Sequence, residues 1–305
     1  MAGEIQVNSV TALTESGSNI VLNNVDTATN RTNLGLGSMA TQNANAVAIT
    51  GGSVSGASIV PDSPFSFRNK IINGSLKSAK VINQRGASSI TGATGYTFDR
   101  WYYDGSTYLY QGIEDANVEN GTYAISWVGS GINAAWKVST DSTAGNGPDA
   151  TTGFTSVSNG GTFTVNEVTE FSKHLWIRFD GTLSNLDKVQ VERDAVTPFE
   201  YRPYGLELIL AKRYFEKLGL TYSGHWGGTK GPSAAATIYY DVVKRATPDV
   251  DDATSRNAQN NTTATVTAAH ITTRKFVYDL NANTGNIGDG IHFYATNGIH
   301  VNAEL

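Results

Sequence analysis

The residues able to do chemistry are few and scattered. Five histidines, His174, His225, His270, His292 and His300, show no metal-ligand spacing of the His-x-x-x-His kind. His174 heads an apolar run, where a strand-end role accounts for it. A glycosidase needs two carboxylates flanking the scissile bond. Glu167 with Glu170 and Asp99 with Asp104 are the pairs the sequence offers, and no specific signature accompanies either. With no cysteine there is no thiolate ligand, thiol nucleophile or disulfide. Asp279 to Gly285 opens like a calcium loop, but its glycine comes one position late and Gly290 stands where a bidentate carboxylate belongs. A turn rich in Asn and Gly accounts for that stretch better, and Asp249, Asp251 and Asp252 read as a solvated acidic loop. Gly35-Leu36-Gly37-Ser38-Met39-Ala40 matches the dinucleotide fingerprint in letters only, lacking the strand before it and the helix after it. Asn73-Gly74-Ser75 and Asn120-Gly121-Thr122 are glycosylation sequons in form. The expectation is a protein without cofactor, resident metal or catalytic residues.

Aromatic side chains are the more informative set. Sugars present C–H faces that stack on flat rings, while Asn, Asp and backbone groups bind hydroxyls. Trp127, Trp136 and Trp176 sit inside β-like runs and are expected in a core. Tyr108, Tyr110, Trp226, Tyr239 and Tyr240 lie in or near loops, or in pairs that must point to opposite sheet faces. Trp226, in a glycine-rich loop from Gly224 to Gly231, is the leading candidate for glycan stacking. His225, Tyr239, Tyr240 and Asn297 are its expected companions.

Composition narrows the class of scaffold that positions these groups. The chain has 305 residues, 39% hydrophobic and only 16% charged, with 32 glycines. Charge is well below the roughly 25% of an average domain; uncharged polar groups cover the surface of a β-rich protein. A net charge of −5 argues against nucleic-acid binding, which needs a basic face. No apolar run approaches the roughly 20 residues of a membrane span, and Met1 to Ile5 lacks the features of a signal peptide.

Four regions follow from pattern changes. Residues 1–60 hold four charges (Glu4, Glu15, Asp26, Arg31) and no aromatic residue, too little to bury a monomeric core. Strand-like spacing of Ile5, Val7, Val10, Ile20, Leu22 and Val25, and of Ala46 to Thr50, predicts ordering against copies of itself or a docking partner. Val10, Ile20, Leu22 and Val25 are the expected trimer contacts. From residue 66 to 204, short β-like runs such as Tyr123–Val128, Thr162–Val165 and His174–Phe179 alternate with turns at Asn120-Gly121, Asn159-Gly160-Gly161 and Asp180-Gly181. An antiparallel jelly-roll sandwich is predicted there. Leu206, Ile209, Leu210, Tyr214 and Leu218 predict one linking helix over 205–218, with Gly219 as its cap. Residues 219–305 return to β pattern and are expected to form a small separate tip domain.

Several segments carry a resemblance. Arg31 to Ala44, followed by Ile49 to Gly56, resembles the linker motif of bacteriophage tail fibres. Asn69 to Ser75, Gln84-Arg85-Gly86 and Gly95 to Tyr102 resemble the opening of a module recurrent in phage virion proteins. Val189 to Tyr204 resembles its close. The resemblance covers roughly residues 31 to 217. It implies a jelly roll related to carbohydrate-binding modules, a following helix and a fibrous homotrimer. It further implies residence in a tail or head fibre of the virion, attachment to other virion proteins through residues 1–60, and adhesion to host-surface polysaccharide. A tailspike-like depolymerase and a purely structural baseplate or capsid decoration protein are the alternative readings. The depolymerase is disfavoured by the absence of a repeated β-helix period.

Overall fold

The computed structural model describes residues 4–7, 10–16, 19–22, 67–77, 79–140, 147–148, 152–166, 173–219, 221–225, 233–251, 256–259, 264–282, 290–295 and 299–305. Met1–Val60 and Pro61–Leu305 are two compact units. In the first, β1 (Glu4–Val7), β2 (Val10–Ser16) and β3 (Asn19–Leu22) form an antiparallel meander. Two-residue connections, Asn8-Ser9 and Gly17-Ser18, are of hairpin length. Val10 pairs with Val7, Ile20 with Glu15 and Leu22 with Leu13. Val25 and residues 46–50 lie outside the described residues.

The second unit begins with an antiparallel sandwich. Its larger sheet has six strands in the order β4 (Gly95–Tyr96), β5 (Tyr102–Tyr103), β6 (Leu109–Ile113), β11 (His174–Gly181), β8 (Ile132–Ser139), β9 (Thr155–Val157). Its smaller sheet has β10 (Thr162–Val165), β7 (Gly121–Val128) and β12 (Asp187–Arg193). The chain crosses repeatedly between the two sheets, as from β7 to β8 across Gly129-Ser130-Gly131. That corner requires glycine at 129, where φ is 130° and a Cβ would sit 2.3 Å from the Asn185 carbonyl oxygen. The inner faces follow the period-two rule. Leu109, Ile113, Leu175, Ile177 and Phe179 of the larger sheet meet Tyr123, Ile125, Phe163, Val165, Val189 and Val191 of the smaller in one buried core.

The opposite face of the larger sheet is covered as well. Trp176 lies across from Gly112 on β6, and both pack against Leu305. Tyr110, Trp176, Tyr214 and Leu305 form a second buried cluster, with Ile72, Tyr102, Tyr108 and Phe154 packed around it.

The helix is shorter than the apolar spacing predicts. α1 runs Tyr204–Lys212, and Phe215–Leu218 is instead the strand β13, paired antiparallel with β21 (Ile299–Asn302). β16 (Asp249–Asp251) completes that sheet. Sheet pairing overrides the helical period, because Phe215 and Glu216 are both buried beside β21 and the Tyr214 carbonyl accepts the Ala303 N–H at 2.7 Å. The linking helix over 205–218 is corrected accordingly. Two further three-stranded antiparallel sheets follow. One orders β14 (Thr221–His225), β20 (Gly290–Ala295) and β17 (Arg256–Gln259). The other orders β15 (Ser233–Tyr239), β19 (Lys275–Ala282) and β18 (Ala264–Ala269). Tyr240, Val250, Phe276, Ile299 and Val301 make a small core of their own.

The boundary expected at residue 219 does not set the C-terminal region apart from the sandwich. Residues 303–305 lie against the sandwich and are held there by charge. The Glu304 carboxylate takes the Arg100 guanidinium, and Arg85 Nη2 at 3.3 Å. Arg100 is 1% exposed and lies 3.5 Å from the centre of the Tyr214 ring. The Tyr214 hydroxyl donates to Glu114 Oε2 at 3.0 Å, and Arg213 Nη2 reaches Glu114 Oε1 at 2.8 Å. Burial pushes the Tyr214 hydroxyl up to about 12. The molecule is thus mainly β, built from antiparallel sheets, with one α-helix among the described residues.

Candidate functional site

The described members of the aromatic set named from sequence have different surroundings. Trp226 and Asn297 lie outside the described residues, and the backbone of His225 ends β14 opposite Gly290. Tyr239 is 67% exposed, with Lys275 Nζ 5.8 Å from its ring centre. Tyr240, the next residue, turns inward and stacks on Phe276 with centroids 5.9 Å apart. Burial lifts its hydroxyl to about 12. Tyr240 is therefore core, a correction that period-two alternation explains once Tyr239 faces out. Tyr110 is likewise fully buried, and Tyr108 is half-buried with the Arg178 guanidinium 4.2 Å from its ring centre.

Asp99, Asp104 and His174 have structural duties. Asp99 is fully buried and accepts Gln84 Nε2 at 2.8 Å; burial raises its pKa against the pull of Gln84 and Arg85. Asp104 holds a turn by accepting the N–H groups of Ser106, Thr107 and Tyr108. Its slight burial pushes its pKa up, but those N–H groups outweigh it and hold the carboxyl below its ordinary range. Glu167 and Glu170 lie outside the described residues. His174 is buried and its Nδ1 accepts the Asp115 N–H at 3.1 Å. Asn73, the first sequon residue, is buried, its amide bonded to Ile82 and Asp99. No His, Asp and Glu cluster fit for a metal occurs among the described residues. No helix there is long and apolar enough to cross a membrane.

A site emerges instead where the sandwich is open. β9 and β10 are edge strands of opposite sheets, and among the described residues the span between them is closed by rings rather than by backbone pairing. Trp136, on the inner face of β8, stacks on Phe163 of β10 with centroids 4.9 Å apart and 24° between planes. It is only half-buried, and its free rim lines a hollow shared with Lys137, Thr155, Thr164 and Asn166. Lys137 Nζ donates to the Thr152 carbonyl at 2.9 Å. At the other end of β9 a second hollow is floored by Trp127, Ile132 and Val157 and rimmed by Asn133, Ser158 and Asn159. Asn133 Nδ2 donates to Asp180 Oδ1 at 2.6 Å. Asn159 is fixed by two bonds to the Trp127 backbone, accepting its N–H at 3.0 Å and donating to its carbonyl at 2.8 Å. An apolar floor with fixed amides and hydroxyls at the rim is suited to stacking a sugar face and binding its hydroxyls.

Sequence reading missed this edge because it assigned Trp136 to the core with Trp127 and Trp176. Those two are buried, at 7% and 0% exposure. The available signal was the polar, three-residue Thr155-Ser156-Val157 beside the Asn159-Gly160-Gly161 turn, too short a strand to cover its neighbour.

No family model matches the chain. No curated protein matches it significantly. Among solved structures, it is similar to the native structure of the recombinant discoidin II of Dictyostelium discoideum at 13% identity. That alignment spans 78% of this chain and 93% of the other, with a TM-score of 0.22. A score of that size transfers neither fold nor function, and the sandwich described above rests on its own strand pairing.

Proposed function

We propose that this chain is a structural fibre protein of a bacteriophage virion whose sandwich adheres to host-surface glycan. The order of the linker motif, the module opening at Asn69 and its close at Tyr204 supports the virion half of the reading. The observation that carries the glycan half is the half-buried Trp136 ring at a hydroxylated open edge. Residues 1–60 serve attachment to other virion proteins and homotrimer formation, with Val10, Ile20 and Leu22 on paired short strands. Three copies of a weak sugar site would act together, since linkage turns later contacts into intramolecular ones. The protein is not an enzyme in this reading.

Incubating the full chain with purified host polysaccharide, scoring both retention and release of reducing ends, tests it. Retention without release is expected. Release of reducing ends would replace adhesion with depolymerisation, and neither retention nor release would leave a purely structural fibre or decoration protein. Light scattering that shows a stable monomer at micromolar concentration would remove the trimer.

A further inference from the structure

We infer that the two hollows flanking β9 are one elongated site for an internal stretch of a linear, neutral polysaccharide, and this rests on reading the edge as a glycan site. β9 has three residues, Thr155–Val157, and a strand rises about 3.3 Å per residue. Thr155 and Val157, at its two ends, are therefore roughly 7 Å apart, more than a single sugar ring spans. A glycan lying along β9 places one ring over Trp136 and another beside Asn133 and Asn159.

The path between the hollows has its own polar lining. β9 is the last strand of its sheet, so its outer peptide groups face the open edge. Its register on β8 covers Ala134 to Trp136 only, while Ile132 and Asn133 are paired on the β11 side with Gly181 and Asp180. Peptide groups of β8 at the second hollow thus lie beyond the reach of β9. Thr155, Ser156 and Ser158 are all exposed along this line. Thr164, Asn166, Asn133 and Asn159 at the rim are uncharged, and the two charges beside them are of opposite sign: the Lys137 ammonium, which donates to the Thr152 carbonyl, and the Asp180 carboxylate, which accepts from Asn133. Such a rim matches hydroxyls rather than carboxylates or sulfates. A partner β-strand fits less well, because a three-residue edge offers very few ladder hydrogen bonds.

The test uses the full chain and size-fractionated oligomers from a panel of neutral bacterial surface polysaccharides, with their monosaccharides and an acidic polysaccharide as comparators. Affinity is expected to rise at least tenfold from monosaccharide to tetrasaccharide and then level off. Asn166→Trp and Ser158→Trp, each at an exposed rim position, are expected to reduce tetrasaccharide affinity at least fivefold while leaving the melting temperature unchanged. Equal affinity for monosaccharide and oligomers would overturn the elongated site and leave glycan adhesion standing. Tighter binding of the acidic polymer would overturn neutrality. Full tetrasaccharide binding by both tryptophan variants would place the glycan elsewhere, and no binding across the panel would overturn this inference and the adhesion reading together.

Discussion

The outer face of the six-stranded sheet and its open edge make opposite use of aromatic rings. On the face, Tyr110, Trp176 and Tyr214 are buried under Leu305 and joined by Tyr102, Tyr108 and Phe154. At the edge, Trp136 stacks on Phe163, which stacks in turn on Tyr123 of the core, and one rim of Trp136 stays open. The face holds far more ring surface, yet it is filled. A ring-rich surface becomes a binding site only where no later part of the chain covers it, and here residues 303–305 do the covering. The edge escapes because the strand that would seal it, β9, ends after three residues.

Removing the cover should have the largest effect. Glu304→Ala leaves Arg100 buried with no carboxylate, and breaking one partner from a buried pair costs about 3–5 kcal/mol. A correspondingly large drop in the thermal midpoint is expected, with sugar binding at the edge intact below the transition. A melting temperature unchanged by this substitution would mean that the C-terminal residues are not what closes the face.

Crowding the cover comes next. At Gly112 an added Cβ would sit 2.8 Å from Leu305 Cδ1 and 2.9 Å from Trp176 Cη2. Gly112→Ala should therefore force repacking at about 1–3 kcal/mol, measurable by urea denaturation. If it stabilises, Leu305 is not seated on Trp176 as described.

A smaller effect is expected from pH. Burial raises the Asp99 carboxyl above the ordinary value near 3.8, so the folded protein holds a proton that the unfolded chain has already released. Stability falls as pH rises from 3.8 toward the folded value, because in that window the native state binds more protons. Asp99→Asn removes the titration, so its stability relative to the parent should rise across the same window. Parallel stability profiles of parent and variant would show that Asp99 is solvated.

Much of the sandwich is legible in the sequence, for a definite reason. β10 alternates exposed and buried residues, β7 and β11 are long apolar runs carrying tryptophan, and Gly121, Gly160 and Gly181 stand at or beside their ends. What stays illegible is decided by distant partners. Phe215–Leu218 has helical spacing with the preceding leucines, but the competing β21 arrives more than eighty residues later. Trp136 and Trp176 sit in equally apolar strands, and only the cover over one and the gap beside the other set their roles. Glu304 carries no local signal at all, since its partners Arg85 and Arg100 lie some two hundred residues earlier. Tyr239 and Tyr240 could be divided into one outward and one inward ring by alternation, but not assigned to either.

The smallest expected effect sharpens the comparison from a third place. Tyr239 is an exposed ring with little to lose: its solvent exposure is 67%, and its described neighbour is Lys275, across β19. Tyr239→Ala should change stability by no more than about 0.5 kcal/mol, as surface substitutions do. A single exposed tyrosine has no polar rim such as Thr155, Thr164 and Asn166 supply beside Trp136, so it supplies stacking without hydroxyl recognition. Adsorption of the variant to cells should therefore fall less than threefold, and by less than in Asn166→Trp. A loss of adsorption in Tyr239→Ala with an unchanged melting temperature would move recognition to the C-terminal sheets. The open edge would then be a gap in the sandwich and no more.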